Sequence, residues 1–77
     1  MNRQRRREID RLVTALDALR DDLDAVLTDE REAYEALSEK AQEAERGVQM
    51  QEAVDSLQQA WDDLDGVISN LQGLVVE

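Results

Sequence analysis

The chain contains no cysteine, no histidine, no proline and no phenylalanine, and only three glycines, one tryptophan and one tyrosine. Each absence excludes something. Without cysteine or histidine there is no disulfide staple, no zinc site of the usual kind and no Cys/His catalytic apparatus. Without proline, and with so little glycine, nothing forces the backbone out of helix for long. The abundance of Ala, Leu, Glu, Asp, Gln and Arg favours helix throughout. No run of apolar residues approaches the eighteen or so needed to span a bilayer. The arginine-rich start (Arg3, Arg5, Arg6, Arg7) leads into amphipathic sequence, unlike a secretory signal. The expectation is a soluble, cytoplasmic, all-α protein that makes no membrane contact. Its 77 residues amount to one small domain, which has difficulty burying enough surface alone.

Charge is plentiful but uneven. Residues 1–11 hold five arginines and two acids, residues 12–46 four cations and eleven acids, and residues 47–77 six acids and no cation. The net charge of −10 disfavours direct nucleic-acid binding, which needs Lys and Arg on phosphates, and suits a protein partner with a basic surface.

Against this background two heptad runs stand out. Ile9, Leu12, Leu16, Leu19, Leu23, Val26, Ala33 and Leu37 alternate at spacings of three and four, with Glu30 as the one polar intruder. Met50, Val54, Leu57, Trp61, Leu64, Ile68, Leu71 and Val75 do the same. The first frame, carried forward unbroken, would put Lys40, Ala44, Gly47 and Gln51 in the core, so the phase changes between the runs. A fold-back accommodates that change better than one continuous helix. The apolar gap between Leu37 and Val48 supplies Ser38 as a cap and Gly47 as a weak helix former.

Facing residues of an antiparallel pair have position numbers of constant sum. Leu12 with Val75, Leu16 with Leu71, Leu19 with Ile68, Leu23 with Leu64, Val26 with Trp61, Ala33 with Val54 and Leu37 with Met50 all share one sum. The spacing therefore predicts an antiparallel two-helix hairpin, coiled-coil-like. Arm one covers about residues 6–37, the bend about 38–46 and arm two about 47–76. That register brings Arg20 near Asp65 and sets Glu30 against Leu57.

Further apolar columns run beside these seams: Val13, Leu27 and Tyr34 on the first arm, and Ala53, Ala60, Val67 and Leu74 on the second. Three apolar columns per arm is the width of a four-helix bundle, so the expected assembly is a homodimer of hairpins using these seven residues.

Two acidic clusters, Asp21, Asp22, Asp24 and Asp62, Asp63, Asp65, repeat the pattern Asp-Asp-Leu-Asp. They could hold a hard cation. On helices, however, these positions diverge, and Trp61 and Gln72 fall where the first and last ligands of a calcium loop belong. The favoured reading is a solvated acidic surface, with no metal and no cofactor. Glu30 is expected to reach sideways to solvent or an arginine, because an unpaired buried charge costs several kcal/mol. The arginine-rich arm is expected to be partly frayed and attracted to Glu77 and the C-terminal end of the second helix. No nucleophile sits beside a base and there is no Gly-rich phosphate loop, so catalysis is not expected.

Residues 30–37 (Glu30-Arg31-Glu32-Ala33-Tyr34-Glu35-Ala36-Leu37) and 42–53 (Gln42-Glu43-Ala44-Glu45-Arg46-Gly47 through Met50 to Ala53) resemble a group of short acidic helical proteins of bacteriophages and prophages. Ser38 stands where that group has Pro and Ala44 where it has Ser, which weakens the stop between arms. The resemblance implies a phage or mobile-element accessory protein and no particular mechanism. The leading expectation is thus a non-catalytic interaction module that binds and modulates a host or phage protein. The alternatives are an acidic DNA mimic inhibiting a DNA-binding enzyme, favoured by the cation-free second arm, and a structural oligomerisation component.

Overall fold

Asn2 starts the first helix. Its backbone is extended and its side-chain oxygen accepts from the Arg5 N–H at 2.8 Å, which satisfies a donor that every helix start leaves open. Helix α1 then runs over Arg3–Glu35, and the arginine-rich segment forms its capped first turn. The computed structural model describes residues 1–75. The expected end of the second arm at residue 76 and the expected attraction of Glu77 to the arginines lie outside the described residues.

The bend is built from short-range hydrogen bonds. The Leu37 N–H turns back to the Tyr34 carbonyl at 3.1 Å and ends α1. Ser38 is extended, and its hydroxyl oxygen accepts from the Ala41 N–H at 3.2 Å, capping the single-turn helix α2, Glu39–Glu43. The Gln42 side-chain amide donates to the carbonyls of Tyr34 (3.2 Å), which also accepts from the Leu37 N–H, and Leu37 (3.3 Å), and so ties α2 to the end of α1. Ala44 is extended again, and its carbonyl accepts the first bond of α3, Glu45–Val75, from the Val48 N–H at 3.0 Å. Gly47 is buried where this first turn of α3 meets α2. A Cβ there would collide with the backbone of Ala41 and Gln42, so the close approach requires glycine.

α1 and α3 lie side by side in a rod of 57 × 15 × 14 Å. Arg31 reaches Gln58 and Arg20 reaches Asp65, so rising numbers on α1 meet falling numbers on α3, and the pair is antiparallel. α3 turns its expected seam inward: Val54 and Ile68 are buried, with Met50, Leu57, Trp61, Leu64, Leu71 and Val75 half-buried.

α1 does not do the same. Ile9, Leu16, Leu23 and Leu37 are half-buried as expected, but their companions in the core are Val13 (6% exposed) and Leu27 (3%), with Arg20 and Tyr34 between and beyond them. Leu12 (49%) and Leu19 (58%) stay exposed, as do Val26 and Ala33. The expected seam is thus corrected by one column, a rotation of about half the 100° step between successive residues. Apolar residues continue on both sides of the Ile9–Leu37 column, Leu12, Leu19, Val26 and Ala33 on one and Val13, Leu27 and Tyr34, interrupted by Arg20, on the other. The observed rotation buries Leu27 rather than Val26 and Tyr34 rather than Ala33, and places Arg20 where Asp17 and Asp65 both reach it.

Candidate interaction surface

The rotation gives the hairpin two unlike edges. Residues 17, 24 and 31 flank the buried column of α1 on one side, and residues 51, 58 and 65 flank that of α3. The hydrogen bonds Arg31–Gln58 (3.0 Å) and Arg20–Asp65 (2.6 Å) set these two flanks beside each other. The opposite flanks, Leu12, Leu19, Val26 and Ala33 on α1 and Ala53, Ala60, Val67 and Leu74 on α3, therefore share the other edge. All eight are exposed except the half-buried Ala53. The half-buried leucines at 16, 23, 57, 64 and 71 lie between these flanks and the buried columns, so the apolar surface continues across the rod from one helix to the other.

The seven expected oligomer residues are accordingly split. Ala53, Ala60, Val67 and Leu74 stand on the apolar edge. Val13 and Leu27 do not: they are buried between the two helices of the same chain, and Tyr34 beside them is half-buried. Val13 and Leu27 are corrected to core residues, for the reason that α1 turns their column toward α3. The α1 contribution to the exposed edge is instead Leu12, Leu19, Val26 and Ala33, which the sequence reading had assigned to the core.

The six aspartates of the acidic clusters divide as well. Asp21, Asp24 and Asp62 lie exposed on or beside the polar edge, Asp22 and Asp63 lie exposed at the rim of the apolar edge, and Asp65 is half-buried against Arg20. Asp62 accepts from Gln58 at 3.1 Å and Asp63 from Gln59 at 2.8 Å, one helical turn away in each case. Among the described residues no group of acids is placed to hold a metal ion, no cavity opens in the rod, and no helix is long and apolar enough to cross a membrane.

Arg20, expected beside Asp65 as an exposed pair on the flank, stands instead in the seam. It occupies the buried column of α1, one heptad from both Val13 and Leu27, and its guanidinium bonds Asp17 (3.1 Å) and Asp65 (2.6 Å) while standing 5.7 Å from the centre of the Trp61 ring. The Asp65 contact was legible from the register, but the stacking on Trp61 was not. A charge held in the seam by two carboxylates and an indole face fixes rotation and register more than it adds stability, since both carboxylates are open to water. Glu30, the expected intruder, is half-buried in the column beside it.

Fold and surface together define an all-α antiparallel hairpin with one apolar and one polar edge. Comparison with protein-family models, with curated proteins and with solved structures finds no match to this chain.

Proposed function

We propose that this chain is a non-catalytic interaction module, a helical hairpin that self-associates along its apolar edge and offers its acidic edge to a protein with a basic surface. The observation that carries the reading is the segregation of the edges. Leu12, Leu19, Val26, Val67 and Leu74 are five large exposed apolar side chains gathered on one side of a thin rod. Asp17, Asp21, Asp24, Asp55, Asp62 and Asp65 gather on and beside the other. Contiguous apolar surface on so small a chain marks an association site, and an edge on which aspartates outnumber Arg20 and Arg31 steers an oppositely charged partner. The likeness of residues 30–53 to phage and prophage proteins supports placing the module among mobile-element accessory proteins that modulate a host or phage protein.

The test is capture from a bacterial lysate by the wild-type chain and by a triple variant, Asp21→Asn, Asp24→Asn and Asp62→Asn, whose apolar edge is untouched. The expected result is a protein retained by the wild type, lost with the variant, and eluted as salt shortens the screening length from about 10 Å at 0.1 M to about 3 Å at 1 M. Retention that ignores the substitutions would overturn the acidic-edge assignment. A captured DNA-binding enzyme displaced from its DNA by the chain would turn the reading to DNA mimicry. Self-assembly with no captured protein would turn it to a purely structural role.

A further inference from the structure

The apolar edge tapers. From the open end of the hairpin toward the bend, α1 presents Leu12, Leu19, Val26 and Ala33. Over the same span α3 presents Leu74, Val67, Ala60 and Ala53. Both series fall from leucine to alanine in the same direction. The edge is about 30 Å long at 1.5 Å per residue and about 20 Å wide for two helices some 10 Å apart. Two such edges pressed together bury on the order of 1,200 Å², the lower bound of a standard stable interface. A second copy of the chain is therefore an occupant of sufficient size, and one whose edge has matching dimensions.

Two copies can meet edge to edge about a two-fold axis in two ways. With the axis along the rod, the bends lie together, Leu12 sits over Leu74 of the second copy and Ala33 over Ala53. The helices then want separations near 10 Å at one end and near 8 Å at the other. With the axis across the rod, the bends lie at opposite ends. Leu12 now sits over Ala33 of the second copy and Leu19 over Val26, while Leu74 sits over Ala53 and Val67 over Ala60. Large meets small along the whole length, as even packing requires.

Charge makes the same choice independently. Residues 1–11, at the open end, hold five arginines and two acids, while residues 30–52, around the bend, hold seven acids and three cations. Bends together would stack like charge on like at both ends of the bundle. Bends apart bring each arginine-rich end beside the acidic bend of the other copy, with Arg5 leading because it continues the column of Leu12 and Leu19. Asp22 and Asp63 stand at the rim in either arrangement, so their repulsion does not distinguish the two.

We infer that the chain forms an antiparallel homodimer, a four-helix bundle in which the apolar edges meet and the two bends lie at opposite ends. This rests on the self-association proposed above. The absence of native cysteine makes the test direct: the full-length Glu43→Cys chain carries one spin label, at the exposed bend. Light scattering on the same sample should give the mass of a dimer, and the label-to-label distance should be about 50 Å, twice the span from bundle centre to bend at 1.5 Å per residue. A dimer with labels closer than about 20 Å, near the 8–10 Å separation of packed helices, would overturn the antiparallel arrangement and leave self-association standing. A monomer at every concentration up to several hundred micromolar would overturn both. Leu19→Lys should lower the measured mass to that of one chain with helicity retained, and a Leu19→Lys dimer would overturn the assignment of this edge as the interface.

Discussion

Gly47 and Gly66 share a helix and a residue type, and substitution should move them in opposite directions. A methyl group at residue 47 meets the backbone of α2, which cannot step aside as a flexible side chain would, whereas at residue 66 it meets nothing within 4 Å. Gly66→Ala should stabilise by about 0.5–1 kcal/mol through helix propensity alone, and Gly47→Ala should destabilise by about 1–3 kcal/mol through overpacking. Urea titrations of the two variants check this. Two shifts of the same sign would mean that α2 does not press on α3. Ala44 offers a second test at this scale. It precedes α3 with extended backbone and takes the first helical bond on its carbonyl, yet has no side-chain oxygen to cap the N–H groups beyond it. Ala44→Ser should raise stability by about 1 kcal/mol, and an unchanged urea midpoint would show that the start of α3 is already satisfied.

At the scale of the helix, the question is which stripe faces inward. Leu27 and Leu19 are indistinguishable by type and lie on opposite sides of the Ile9–Leu37 column, but one is buried and the other exposed. Leu27→Ala should destabilise the hairpin by about 2–5 kcal/mol. Leu19→Ala, measured at concentrations low enough for single chains, should change stability by about 0.5 kcal/mol or less. Equal losses from both would return α1 to the seam centred on Leu12, Leu19 and Val26. This pair also marks how far the sequence could be read. Two long helices and a fold-back between them followed from the phase change between the apolar runs, though the connection spans residues 36–44 rather than 38–46, and the inward face of α3 followed because Gln51, Gln58 and Asp65 make one side of its stripe polar. The inward face of α1 did not follow, because that helix has good apolar columns on both sides of Ile9, Leu16 and Leu23. The choice between them depends on Arg20 finding Asp17, Asp65 and Trp61, and on Tyr34 outweighing Ala33. These are tertiary contacts that a period of three and four does not encode. The division of the six aspartates between the two edges, and the half-burial of Asp65 against Arg20, depended on the same rotation.

For the molecule as a whole, the decisive quantity is how little of it is inside. Among the described residues the buried apolar side chains are Val13, Leu27, Val54 and Ile68, strung along a rod 57 Å long. On the proposed self-association, a helical pair this thin would gain much of its stability from the second copy covering its exposed edge, because binding to the folded state alone shifts the unfolding equilibrium by mass action. The thermal midpoint should therefore rise by several degrees as protein concentration increases from about 1 μM to about 100 μM, in a manner set by the dimer constant. A midpoint independent of concentration over that range would show that one hairpin is sufficient in itself.

The short helix at the bend also carries a kinetic consequence. The hydrogen bonds from Gln42 to Tyr34 and Leu37 close eight and five residues of chain, Arg31 to Gln58 closes 27, and Arg20 to Asp65 closes 45. The entropy lost on closing a loop grows with its length, so the bend is expected to form first and the arms to zip outward from it, each new contact closing little additional chain. Substitutions around Gln42 should then slow folding, whereas those near Leu12 and Leu74 should mainly hasten unfolding. The leucine-rich open end should be the last part of the chain to close and the first to part.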